Sequence, residues 1–547
     1  MSDHDRTIFH GPKAWIVSII VGLLLGALLT RVLQPDYTPH EDQVADEQHQ
    51  EESLDDSSSI DHEPIASLAG VDDDFPAPIH DPASQPADLD LPGNAHAAED
   101  AHAHGPAPEI PLILAVPFAL LLLSIATMPF INERFWHHHF PDFAFLLGSM
   151  MVAYYLLGFD EPDYAQGLSY GQYQMLHVAR EYYAFIALIG GLFVASGGIL
   201  IDFKGKGGPV SNTMLLATGA LIANIVGTTG ASVLLIRPFM RMNKGRLHAM
   251  HVVFFIFIVS NCGGCLTPIG DPPLYLGYLK GVPFMWTLEH LWPMWLACIG
   301  LLLGLFFLYD LKVGFPPSAE VDALGPVPAG GLTVKGLSGM IALALIIGGV
   351  FIDPMLAGVV PALEGVPIGP TFQIAVAICA YKIASSDIHK ANDFNFFPVK
   401  EVGLLFVGIF ATMAPALGYL AANGDKLGLD SATAFYFATG ALSGVLDNAP
   451  TYLNFLQVAF AANHLELTPD NVHHFLDTPN GIHELTAISL GAVFFGAMTY
   501  IGNGPNFMVR AIAEAGGLKM PSFFGYLARA VVILLPVLVV IWLLFVR

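Results

Sequence analysis

Four short stretches put side-chain oxygens and carboxylates where the chain is otherwise apolar. Residues 226–231 read VGTTGA, 260–273 read SNCGGCLTPIGDPP, 446–452 read LDNAPTY and 499–506 read TYIGNGPN. Thr228, Thr229, Ser260 and Asn261 offer hydroxyl and amide oxygens, as do Thr267, Asn448, Thr499, Asn503 and Asn506. Broken helices expose backbone carbonyls beside them, and an all-oxygen donor set suits a hard cation such as sodium. An aspartate buried among such oxygens has two uses. Ionised, it supplies the charge that holds the cation; because burial disfavours that charge, it can hold a proton instead. Competition of sodium and proton for one carboxylate is the simplest antiport chemistry. Asp271 and Asp447 are the candidate carboxylates, with sodium expected at Asp447, Asn448, Asn261 and Asp271.

The two carboxylates differ in their alternatives. Asp271 precedes Pro-Pro, so it can equally cap the half-helix that starts there, and Asn503 at the corresponding place can cap without charge. Asp447 sits in mid-run, away from water, and has the stronger claim to a proton-carrying role. Cys262 and Cys265 form a C-x-x-C without a second Cys or His pair nearby, which reads as small residues allowing close helix approach. No P-loop, H-E-x-x-H or dinucleotide fingerprint is present, so the chain reads as a non-enzyme without a cofactor or a nucleic-acid partner. The run His137, His138 and His139 reads as a solvated interfacial loop over 131–142.

The elements that position these residues are membrane spans. The chain has 547 residues, 54% of them hydrophobic and 13% charged. Apolar runs of about 17–25 residues, enough to cross a ~30 Å hydrocarbon layer, recur from Ile110 to the C-terminus. The net charge of −25 is concentrated: residues 36–109 carry 20 of the 47 acidic residues and no Lys or Arg. That segment, rich in Pro, Ala, Ser and His, has too little apolar surface to offset its chain entropy and reads as an acidic tether. Residues 13–33 before it read as a retained first helix, making 1–35 an N-terminal anchor.

Placing Lys and Arg inside sets the topology. With the N-terminus cytoplasmic, the tether lies outside. The run 211–236 (hairpin region 211–240) starts and ends among inside charges, Lys204 and Lys206 before it and Arg237 to Arg246 after it. It must therefore enter and turn back, at VGTTGA. The run 432–462 lies between outside loops and turns back at LDNAPTY. Broken crossings follow at 252–280 and 485–514, and the C-terminus ends outside. The result is an all-α polytopic protein with about eleven spans and two re-entrant hairpins. The halves 110–330 and 331–547 correspond: GALIANIVGTTGAS from Gly219 parallels GALSGVLDNAPTYL from Gly440, and TPIGDPP from Thr267 parallels TYIGNGP from Thr499. One hairpin opens inward and the other outward, so the repeats are inverted, an arrangement with which secondary transporters build a site near the bilayer midplane.

SNCGGCLTPIGDPP, LDNAPTYL and TYIGNGPN together resemble the ion transporter superfamily, in its branch of NhaD-type sodium/proton antiporters and citrate transporters. The resemblance covers about residues 110–547. It implies a homodimer, with a scaffold part and a mobile part that carries both hairpins and both broken helices, working by elevator-type alternating access. The leading expectation is exchange of cytoplasmic sodium or lithium for protons, in a bacterial inner membrane. The alternative is a sodium- or proton-coupled citrate or dicarboxylate transporter, which two carboxylates at the site oppose electrostatically.

Overall fold

A computed structural model describes residues 12–33 and 108–547, apart from 161–163, 165–166, 205–206, 314–330, 358, 361–362, 364 and 393. The tether up to residue 107 lies outside the described residues. Among those described, nine helices are long and apolar enough to cross a membrane, and three shorter apolar helices accompany them. The protein is an all-α polytopic membrane protein with one small exception. Strand β1 (Leu200–Lys204) pairs antiparallel with β2 (Gly331–Lys335), Leu200 opposite Lys335, a ribbon between distant segments that no local pattern announces.

The first helices form one flank. Helix α1 (Pro12–Val32) packs along α3 (Glu133–Gly158), which follows α2 (Val116–Ile131). Gly22 and Gly26 permit the close approach: a Cβ on Gly22 would stand 2.0 Å from Ser149 Oγ, and one on Gly26 2.3 Å from the Met150 carbonyl. The segment 131–142 is helical rather than a loop. Asn132 accepts a bond from the Phe135 N–H at 3.1 Å and starts α3 there, and His139 pairs with Asp142 one turn on at 2.9 Å. Helix α4 (Tyr170–Gly197) begins with a Ser169/Gln172 capping box.

Helix α5 (Pro209–Met242) is helical on both sides of Gly227, whose φ of 77° and ψ of 155° break it. A straight helix of 34 residues would span about 51 Å. Its ends instead meet. The Gly207 N–H donates to the Met242 carbonyl at 2.8 Å, and the side chains of Asn212 and Asn243 exchange bonds of 2.7 and 2.8 Å. Next come α6 (Ala249–Ile258), a short turn at Cys262–Gly264, α7 (Pro272–Leu279) and α8 (Trp286–Val313).

The second half brings α9 (Leu337–Gly349), α10 (Ile352–Ala357), α11 (Ile368–Ile383), α12 (Ser386–Ala391) and α13 (Phe397–Asn423). Helices α14 (Ala432–Ser443) and α15 (Asn448–Ala462) are separated by a four-residue break and pack on each other. The polar stretch after them holds a short helix, α16 (Pro469–Leu476), started by the Thr468 side chain. Then α17 (Pro479–Phe495), a turn at Gly496–Met498, α18 (Gly504–Ala515) and α19 (Phe523–Ile541) complete the chain.

Burial separates the centre from the rim. The apolar windows of Pro479–Met498 and Pro209–Met242 are 89% and 78% buried, against 11% for Ala14–Val32 and 28% for Phe523–Val546. The rim presents Leu24, Leu337 and Val532 outward, the apolar surface that a bilayer covers. The broken segments occupy the protected centre, where protein groups replace water as partners for freed backbone.

Candidate functional site

Both breaks are built on one local plan. Thr267 Oγ1 accepts from the Gly270 N–H at 3.1 Å, and Thr499 Oγ1 accepts from the Gly502 N–H at 3.2 Å. Gly270 lies so close to Gly264 that a Cβ would be 2.1 Å from its carbonyl, and Gly502 stands likewise over Gly496 at 2.6 Å. Glycine is required at these crossings because any side chain would collide with backbone. Thr267 and Thr499 therefore shape the turns, although both were candidate ligands. Thr267 also donates to the Asn224 carbonyl at 2.6 Å.

The loops converge on Asp271, which is fully buried. Its Oδ1 accepts from the Thr228 hydroxyl at 2.8 Å and from the Asn503 amide at 2.9 Å, and its Oδ2 accepts from the Asn448 amide at 2.6 Å. One carboxylate thus ties together α5, the first break, the α14–α15 break and the second break. The helix-cap alternative for Asp271 is not what its side chain does. Asp271 and Asn503 occupy the N-cap positions of α7 and α18 in extended backbone, yet neither side chain bonds to its own helix start. They bond to each other, because the two half-helices approach across the centre. Asn503 also donates to the Ser260 carbonyl at 3.2 Å.

Around this carboxylate lies a second tier. Asn261 donates to Asn506 Oδ1 at 2.6 Å, and Asn506 donates to the carbonyls of Gly496 and Thr499, each at 2.9 Å. The Ser260 hydroxyl pairs with Ser232 at 2.8 Å. Asn261 Oδ1 is buried and has no hydrogen-bond partner among the described residues. A Cβ on Gly496 would be 3.3 Å from that oxygen and 3.4 Å from Asn448 Nδ2, so Gly496 lies between the orphan oxygen and the residue that holds Asp271. An unmet buried acceptor costs about 1–3 kcal/mol and fits a missing cationic partner.

Asp447 has a different setting. Its carboxylate accepts from the Ala449 N–H at 3.1 Å and so caps α15, and it is only partly buried. It lines a cavity of about 1260 Å³ that also reaches Thr229 and Asn503. Thr229 faces this cavity and Thr228, its neighbour, faces Asp271. The cavity wall carries Arg237, Arg241, Lys244 and Arg510 as well as Glu401, and it reaches the surface at Phe524. Of the expected sodium ligands, Asn448, Asn261 and Asp271 therefore lie in the buried cluster and Asp447 at its cavity edge.

Sequence reasoning passed over Asn224 and Glu401. Asn224 donates to the Ala220 and Gly263 carbonyls at 2.9 and 2.7 Å and accepts from the Leu266 N–H at 2.7 Å, pinning the first break to α5. The available signal was an Asn amid the apolar stretch GALIANIV. The cysteines Cys262 and Cys265 are free thiols packed in the core. Arg180 and Glu181 lie about three turns into α4, where Glu181 pairs with Lys280.

Comparison with known proteins agrees with this architecture. The chain is 26% identical over 345 residues to an uncharacterized transporter of Mycobacterium bovis, covering 60% of this chain and 75% of that protein. The same values hold for an uncharacterized transporter of Mycobacterium tuberculosis. Residues 107–546 match the model of a family described as "Putative citrate transport", which takes in the anatomy above except the first helix. The chain is a multi-pass membrane transporter and belongs to that family.

Proposed function

We propose that this transporter is cation-coupled and exchanges sodium for protons at Asp271. The observation that carries the reading is a fully buried carboxylate held only by neutral donors, Thr228, Asn448 and Asn503. Among the described residues no Lys, Arg or His pairs with Asp271, and an unpaired buried charge is costly by several kcal/mol. A proton or a metal cation must neutralise it, and each excludes the other. The orphan Asn261 oxygen and the surrounding carbonyls supply further cation ligands, with Asp447 at the cavity edge as the group through which the ion arrives.

The two breaks with matching threonine turns fit inverted repeats, and the resemblance to the ion transporter superfamily implies elevator-type alternating access in a homodimer. With Arg237, Arg241 and Lys244 on its wall, the cavity opens to the cytoplasm by the positive-inside rule, so the conformation is inward-facing. These same cationic side chains favour a second reading, sodium-coupled movement of a carboxylate anion, which the family description also suggests. Proteoliposomes separate the two. Sodium-driven alkalinisation or acidification of the lumen without carboxylate supports antiport; uptake of labelled citrate or a dicarboxylate that requires sodium, with no sodium-driven pH change in its absence, supports the second.

A further inference from the structure

A second buried polar cluster lies at the feet of α5, and its centre is Asp310 near the end of α8. Arg246 binds this carboxylate through both terminal nitrogens, Nη2 to Oδ1 and Nη1 to Oδ2. His251 reaches Oδ1 through Nε2 at 2.9 Å. Its Nδ1 faces the His248 backbone, 3.0 Å from the N–H and 3.3 Å from the carbonyl. Asn212, in the first turn of α5, donates to Oδ2 at 2.8 Å. Asn243, just past the end of α5, accepts from Asn212 at 2.7 Å and from Arg246 at 2.9 Å. Asn212, Asn243, His251 and Asp310 are each 0% exposed and Arg246 is 5% exposed.

One carboxylate therefore gathers both feet of the α5 hairpin, the loop after it and the start of α6. From Asn212 to Thr228 is 16 positions, about 24 Å along a helix. At that far end Thr228 donates its hydroxyl to Asp271 and its N–H to the Gly270 carbonyl at 2.8 Å. Among the described residues the cluster makes no hydrogen bond to Asp271. It reaches the site through the α5 hairpin, and also through α6, which leads from His251 toward Ser260, and α8, whose Thr287 and Trp295 donate to the Leu266 and Gly263 carbonyls. A bidentate Arg–carboxylate pair with its remaining lone pairs satisfied gives a geometrically specific anchor.

We propose that Asp310 is a positioning residue: by clamping both feet of the hairpin to α8, it holds Thr228 in register with Asp271. This rests on Asp271 being the ion site. The test uses full-length protein in lipid nanodiscs and proteoliposomes, with Asn212→Ala as the mild variant that leaves the Arg246–Asp310 pair intact, and Asp310→Asn as the severe one. Hydrogen exchange is read on peptides covering 222–232 and, as internal control, 496–506. The expected result is roughly fivefold faster exchange at 222–232 only, the size of one lost hydrogen bond, and a half-saturating sodium concentration raised to a similar degree with a maximal rate little changed. Unchanged exchange at 222–232 in folded Asn212→Ala protein overturns the inference. Equal acceleration at both breaks overturns it too, since that marks general loosening. If Asp310→Asn does not fold, Asn212→Ala decides alone. Wild-type vesicles without sodium-dependent transport would sink the ion-site reading while the exchange result still reports on the clamp.

Discussion

At the residue scale, the two carboxylates sit in settings other than those their sequence contexts suggest. Asp447 caps a helix and borders a cavity, whereas Asp271 holds the centre without capping anything. Asn is as good an N-cap as Asp, so Asp447→Asn keeps α15 intact and removes only charge. It is expected to raise the half-saturating sodium concentration and leave measurable exchange. Asp271→Asn removes the only charge in the buried cluster while keeping size and hydrogen-bonding capacity, and is expected to abolish exchange with normal protein amount. Dye-reported proton movement in vesicles checks both; full exchange in Asp271→Asn would move the ion site elsewhere. Asn503→Ala deletes one of three donors to a carboxylate, a loss of about 1.5–3 kcal/mol for a charge-assisted bond. Its expected effect is weaker retention of the ionised form, seen as a sodium affinity reduced at least tenfold at constant pH.

At the element scale, the α5 hairpin depends on one backbone conformation. Gly227 at φ 77° lies in a region that side chains rarely adopt, and a Cβ there would stand 3.3 Å from the Ile269 carbonyl. Gly227→Ala should cost about 1–3 kcal/mol in strain. The strain acts one residue from Thr228, so thermal stability in detergent should fall together with sodium affinity. An unchanged melting temperature would show that the hairpin tip relaxes freely. Sequence spacing marked this turn within VGTTGA because Gly and Thr interrupt an apolar run between basic ends. It left the short helix α16 and the first turns of α3 unmarked, since polar residues there mask helix starts that the side-chain caps of Thr468 and Asn132 make.

At the scale of the whole molecule, Gly22 and Gly26 seat the first helix against α3. Replacing both with Leu should detach that helix and lower stability without touching the site, which lies in other elements. Deleting 36–105 while retaining the first helix should leave transport largely intact, because no site residue lies in that acidic segment. Loss of transport with normal insertion would give the segment a function of its own. Cysteine labelling from each face tests the inverted arrangement: labels near the feet of α5 should react from the cytoplasm and those at the ends of 432–462 from outside. Reaction of one segment's two ends from opposite faces would make it an ordinary span.

Local features of the chain are enough to mark a helical membrane protein, the places where its helices break and the residue types that gather at the breaks. Those properties are local: apolar run length answers to bilayer thickness, and Gly, Pro, Asn and Asp interrupt a helix wherever they stand. Which oxygen meets which donor was decided only by the tertiary structure. Asp271 and Asn503 are 232 positions apart, and each looks like a cap until the other half of the chain is packed against it. The same holds for Asp310, an acidic residue near a span end until α5 folds back and brings Asn212, Asn243 and Arg246 to it. Pairings between distant segments leave no periodic trace, because they depend on how the two halves are laid together.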